Sequence, residues 1–211
     1  MNPREQVHQR VRGLYGLADA AGAGGDPERL ATQLISGGCR LIQLRCKGWR
    51  ADDRLRVAVA IQRRCRDSGV TFIVNDHPDL AAEVDADGVH VGQLDGSAAS
   101  VRARVGEHRI LGRSTHDATQ IGLAMEHADY VAFGPVFSTA NVSRPKGVRG
   151  LDSLAAAAAR VDGRMPLVAI GGITRSRLAD IVEAGATAWA VIGAISAADD
   201  PVSATRALLA P

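Results

Sequence analysis

Leu41-Ile-Gln-Leu-Arg-Cys-Lys47, Thr71-Phe-Ile-Val-Asn-Asp76 and Gly88-Val-His-Val-Gly-Gln-Leu-Asp95 share one pattern: a short apolar run that ends in polar side chains. Near-continuous apolar runs belong to strands buried on both faces, the signature of a parallel sheet. Five more runs complete the series, at Leu14–Ala18, Ile110–Gly112, Tyr130–Phe133, Leu167–Ile170 and Ala188–Ile192. Amphipathic segments separate or follow them: Pro27–Ser36, Asp52–Asp67, Pro78–Glu83, Ser97–Val105, Ala118–Glu126, Asp152–Val161, Arg175–Ala184 and Pro201–Leu209. Several open with cap chemistry, as Asp26, Asp117, Thr174 and Asp200 do. The alternation predicts an α/β single-domain (βα)8 TIM barrel over residues 1–211, with 1–12 as an N-terminal extension. A doubly wound sheet would carry a Gly-rich phosphate loop after its first strand. Here that position reads Asp19-Ala-Ala-Gly-Ala-Gly-Gly25, which lacks the G-x-G-x-x-G spacing.

Composition narrows the function. The 211 residues are 46% hydrophobic and 23% charged with a net charge of +2, ordinary for one sizeable soluble core. Aromatics are 3% and the cations are scattered, unlike a nucleic-acid surface. No run is long enough to span a membrane, and the first residues lack a signal-peptide core. Cys39, Cys46 and Cys65 form no C-x-x-C pair, and an odd number excludes a full disulfide framework, so a reduced cytoplasmic protein is expected. Cys46 lies between Arg45 and Lys47, but on a strand it should face away from both.

The polar strand ends carry the chemistry. Gln43, Arg45 and Lys47 alternate with Leu44 and Cys46, so period two puts all three on one side of the strand. Arg supplies a planar fork for phosphate oxygens, Lys a mobile charge, and Gln a group that reads an amide or ring edge. Asn75-Asp76 reads as a turn, and Asp95 as a helix cap near Ser97, when each is taken singly. Together Asp76 and Asp95 place two hard oxygen ligands at adjacent strand ends, a set suited to a hydrated Mg²⁺ that also meets substrate phosphate. Gly171-Gly172 follows the seventh strand and Gly193 ends the eighth, where such barrels cup phosphate on backbone N–H groups; ordinary turn glycine is the plain alternative. After strand five, Ser114 could donate to a phosphate or anchor a ring, and His116 could act as acid or base or be satisfied by backbone. His90, in mid-strand, reads as a packed core residue.

These motifs resemble the thiamine phosphate synthases over nearly the whole chain. The resemblance rests on Gln43–Lys47, Ile73–Asp76, Asp87–Asp95, Gly112–His116, Ala128–Pro135, Ala169–Gly172 and Val191–Ser196, in that order. It implies an enzyme, a transferase that condenses hydroxymethylpyrimidine diphosphate with thiazole phosphate through a dissociative, Mg²⁺-assisted substitution. By position, Gln43, Arg45, Lys47, Asn75 and Ser114 would hold the pyrimidine diphosphate, and Asp76 and Asp95 the Mg²⁺. Gly172, Ile192, Gly193 and Thr139 would hold the thiazole phosphate. Partners are then small phosphorylated substrates, with no nucleic acid and no membrane; a homo-oligomer is left open.

Two departures stand out. The family's Pro-Thr-x-Thr-Lys loop aligns with Ser138-Thr-Ala-Asn-Val142, so the usual Lys is Val142, and Lys146 or Arg144 would have to replace it. The loop 138–150, with Gly147 and Gly150, is expected to be a mobile lid. Gly193 stands where Ser is common, but its N–H remains. The rival implied reading is a thiazole tautomerase using His116 as acid–base; such an enzyme needs neither a diphosphate grip nor Mg²⁺. A barrel that merely binds a thiazole or thiamine phosphate is the non-enzymatic alternative.

Overall fold

The structure is a computed structural model and describes residues 3–21, 24–139 and 147–211. Eight parallel strands close into a barrel in sequence order: β1 Gly13–Asp19, β2 Leu41–Arg45, β3 Thr71–Asn75, β4 Gly88–Val91, β5 Ile110–Thr115, β6 Tyr130–Phe133, β7 Leu167–Ile170 and β8 Ala188–Val191. The β1–β8 pairing, Tyr15 opposite Ala190, completes the circle and leaves no edge. The expected strands are all present. β5 runs on to Thr115 and β8 stops at Val191, one residue short of the expected end.

Period-two alternation sorts the strand residues into two cores. Ile42, Leu44, Phe72, Val74, Val89, Leu111, Val131 and Leu167 face outward into the layer beneath the helices. Tyr15, Leu17, Leu41, Ile73, Ile110, Tyr130, Val168 and Ala188 fill the barrel interior. Space for the buried Tyr130 ring comes from Gly112 on the neighbouring strand: a Cβ there would lie 2.0 Å from Tyr130 Cζ.

The helices are α1 Pro3–Arg10, α2 Pro27–Ser36, α3 Ala51–Asp67, α4 Pro78–Glu83, α5 Ala98–Val105, α6 Ala118–Ala124, α7 Gly150–Val161, α8 Leu178–Glu183, α9 Gly193–Ser196 and α10 Pro201–Ala207, with a 3-10 turn at Arg175–Arg177. Asp26, Asp117 and Asp200 cap as expected, accepting from Arg29, Gln120 and both Val202 and Ser203 N–H groups. Thr174 makes no such cap bond. The α5 cap is Ser97, which accepts from Ser100 N, so Asp95 is free of the capping role considered for it. The stretch read as an extension contains α1; its Val7 and the adjoining Val11 pack against the interior cluster. Cys39, Cys46 and Cys65 are free and buried, and burial pushes the Cys46 thiol up to about 12, so it is structural.

Candidate active site

The carboxyl ends of the strands surround a cavity of about 900 Å³. Gln43, Arg45, Lys47, Asn75, Asp76, Asp95, Ser114, His116, Thr139, Gly172, Ile192 and Gly193 all line it. Lys146, Arg144, Val142 and Asn141 lie outside the described residues. The cavity brings together every other residue proposed above as a substrate, metal or acid–base group.

On the β1–β3 side the wall is charged. Gln43 is buried and its Nε2 donates to the Tyr15 hydroxyl at 2.8 Å. Arg45 stands opposite Asp19 in the β1–β2 register and donates to its carboxylate at 2.7 Å. Lys47 Nζ lies 3.2 Å from Asp76 Oδ2. Asp76 sits just past β3 at φ 65, a left-handed conformation that Asp tolerates better than most residues. Such a backbone is commonly held at functional sites. Its N–H donates to the His90 carbonyl at 2.8 Å, which fixes the turn against β4.

Asp76 and Asp95 meet across this turn. Burial raises the Asp76 carboxyl above its ordinary value, the Lys47 ammonium opposes that, and the Asp95 carboxylate raises it again. Asp95 Oδ2 also accepts from Gly92 N at 2.8 Å, and Arg113 donates to the Gly96 carbonyl at 2.6 Å; together these hold the loop after β4 in place. Two half-buried carboxylates that repel each other fit a divalent cation, because positive charge between them removes the repulsion. No group of three or more His, Cys, Asp or Glu capable of holding a metal exists among the described residues, so water or substrate oxygens would complete the shell.

Across the cavity the wall is backbone and glycine. Gly172, at φ 64, packs so closely that a Cβ would lie 2.4 Å from the Ser138 carbonyl oxygen. Gly193 is the first residue of α9 rather than the end of β8, with Ile192 as the N-cap. The leading N–H groups of a helix have no acceptor within it, and α9 opens onto the cavity. Between the two walls stand Ser114, whose Oγ is 2.9 Å from His90 Nε2, and His116, whose Nδ1 is 2.6 Å from the Gly134 carbonyl.

A family model described as thiamine monophosphate synthase matches residues 14–195. The chain belongs to the thiamine monophosphate synthase family. The thiamine-phosphate synthase of Bacillus licheniformis is 39% identical over 207 residues, covering 96% of this chain and 92% of its own length. That of Laribacter hongkongensis is 40% identical over 182 residues, covering 86% and 85%. The solved thiamine phosphate pyrophosphorylase of Pyrococcus furiosus superposes with a TM-score of 0.85 at 27% identity, covering 98% of this chain and 96% of that one.

Within this synthase-family barrel, four cavity-side residues escaped the sequence reading. Asp19 ends β1 as Arg45 ends β2, and the strand-end rule applied to the first strand would have found it. Tyr15 and Tyr130 lie within strand runs and are buried in the core, but their hydroxyls meet at 2.8 Å at the cavity floor. Arg177 lines the cavity, donates to the Gly172 carbonyl and stacks over Phe137 with its guanidinium carbon 4.3 Å from the ring centre. Nothing in the run Arg175-Ser-Arg177 distinguishes that arginine from its solvated neighbour. His90 is core, as expected, and also lines the cavity.

Proposed function

We propose that the thiamine-phosphate synthase reaction of this family runs in the barrel mouth as a dissociative substitution. The C–O bond between the pyrimidine methylene and the diphosphate breaks, and both electrons leave with pyrophosphate. The thiazole ring nitrogen then supplies the electron pair for a new C–N bond, giving thiamine phosphate. The observation that carries this reading is the division of one cavity into a cationic and carboxylate wall and a facing glycine wall. Two phosphorylated substrates need two such grips, one on each side of the reacting carbon.

Each residue then has a task. Arg45 and Lys47 neutralise the charge that builds on the departing diphosphate. Asp19 holds the Arg45 fork in place in advance. Asn75 adds a neutral donor at the end of β3, while Gln43 and Ser114 orient the pyrimidine ring. Gly172 and Gly193 admit the thiazole phosphate to backbone N–H groups, with Thr139 on the facing loop. Arg177, stacked on Phe137 beside Gly172, supplies a cation on that side. Asp76 and Asp95 would hold Mg²⁺, which when bound supplies further charge neutralisation to the leaving group. The reaction needs no protein nucleophile, and His116 is assigned no proton transfer. The free, buried cysteines suit a reducing compartment, and we read the protein as cytoplasmic.

The test supplies purified protein with both substrates and Mg²⁺ and measures thiamine phosphate and pyrophosphate, expected in equal amounts. Asp76→Ala should abolish both. Absence of product from the wild-type protein, with conversion of a thiazole tautomer lost in His116→Ala, would overturn the reading in favour of the tautomerase. Activity indifferent to EDTA would remove the metal from it.

A further inference from the structure

A hydrogen-bonded chain crosses the barrel at the cavity floor. Gln43 Nε2 donates to the Tyr15 hydroxyl at 2.8 Å, and the Tyr15 and Tyr130 hydroxyls are 2.8 Å apart. The Tyr130 hydroxyl is 3.0 Å from His90 Nδ1, and His90 Nε2 is 2.9 Å from Ser114 Oγ. Tyr15, Gln43, Tyr130 and His90 are buried; Gln43 and Ser114, at the two ends, line the cavity, and Tyr15 and His90 reach its floor between them. The tyrosine rings meet edge to face and His90 stacks on Tyr130, so the links are also packed in place.

Such a chain has a sense. Each hydroxyl owns one proton and a neutral imidazole owns one, so the direction of the first bond sets all the others. His90 is buried, and among the described residues its two ring nitrogens meet only the Tyr130 and Ser114 hydroxyls, with no carboxylate to pair an imidazolium, so its ring is neutral. Gln43 donates through Nε2. The Tyr15 proton therefore goes to Tyr130, the Tyr130 proton to Nδ1, and the Nε2 proton to Ser114. Ser114, already accepting, turns its own proton toward the cavity, and Gln43 keeps Oε1 as a free acceptor. Reversing the Gln43 amide would require every proton in the chain to reverse.

We propose that this chain fixes the polarity with which the site reads the pyrimidine ring: an acceptor at Gln43 Oε1 and a donor at the Ser114 hydroxyl. That pair matches a ring with an exocyclic amine and unprotonated ring nitrogens. A 4-oxo ring presents the opposite pattern, a carbonyl acceptor beside a ring N–H, and meets like against like at both ends. Tyr15, Tyr130 and His90 are positioning residues: their polar atoms are bonded within the chain, and they orient Gln43 and Ser114. The inference rests on the pyrimidine diphosphate reading above.

Equilibrium titration separates the two. The 4-amino pyrimidine diphosphate and its 4-oxo analogue are titrated into wild-type protein, Tyr130→Phe and Tyr15→Phe. Wild type should favour the amine by tenfold or more, a mismatched polar pair costing about that much. Each Phe variant keeps the ring but cuts the chain, so Gln43 can turn over and the preference should fall towards parity. Affinity for thiazole phosphate should not change. Two variants are used so that one that fails to fold leaves the other to decide. A wild type without preference, or a folded variant that retains it, overturns the inference. Failure of the synthase reading shows differently, as ligand binding without formation of thiamine phosphate.

Discussion

Arg45 and Asp19 face each other across the β1–β2 register and form a 2.7 Å ion pair whose side chains are only 16% and 4% exposed. A guanidinium held in this way has lost little freedom to lose on meeting a diphosphate, because its fork is already aimed. Asp19→Asn should therefore lower kcat/KM for the pyrimidine diphosphate roughly 10- to 100-fold. It should also cost about 2 kcal/mol of stability, since the half-buried Arg45 loses its counter-charge. Steady-state kinetics with each substrate varied in turn, beside urea unfolding, checks both. A variant with normal kinetics would show that Arg45 needs no support from Asp19.

The carboxylate pair makes a prediction that does not depend on turnover. Adding Mg²⁺ to the wild-type protein should raise Tm, because a ligand that binds only the folded state stabilises it by mass action. Asp76→Asn and Asp95→Asn should each abolish that shift. Without metal, Asp76→Asn should be no less stable than wild type, because burial and the Asp95 carboxylate disfavour the charge that the substitution removes. Thermal scans with Mg²⁺ and with EDTA distinguish these outcomes.

Arg177 is the candidate for the cation on the thiazole phosphate side. Its stacking on Phe137 and its bond to the Gly172 carbonyl hold it at that wall. Arg177→Ala should raise KM for thiazole phosphate about tenfold, the effect of losing one charged hydrogen bond. KM for the pyrimidine diphosphate should stay nearly constant. Equal changes in both would instead indicate general damage to the cavity.

His90 gives a pH dependence of known sign. Its folded-state pKa is lowered, chiefly by burial, from 6.5 to about 4. Between those values the unfolded chain binds more protons, so its contribution to stability is fully present above about pH 6.5. That contribution is lost as pH falls towards about 4. The loss over this interval should approach ~3 kcal/mol. Denaturant unfolding from pH 7 to pH 4 should show it, and His90→Gln should be less sensitive to pH over the same range.

Most of the barrel can be read from individual strands. Leu167–Ile170 and Tyr130–Phe133 are apolar at every position because helices cover one face and barrel interior the other. The same logic gave the candidate ligands: once a strand is buried throughout, a polar residue at its end faces the site, as Gln43, Asn75, Asp76 and Ser114 do. Helix α9 was not legible, because four residues carry no period. Nor was the role of Tyr130, since a core tyrosine looks the same in sequence whatever its hydroxyl meets.

The sequence by itself determined the eightfold alternation, the rim of polar strand ends and the family, because each depends on local period and short motifs. Only the tertiary structure decided that Asp19 locks Arg45, that Arg177 reaches Gly172, and that Gln43 and Ser114 are joined through Tyr15, Tyr130 and His90. The Arg177 bond folds the loop after β7 back on itself, while the first and last of these links connect residues from different strands. Closure of the barrel sets their distances, and no local pattern along the chain records which hydroxyl will meet which.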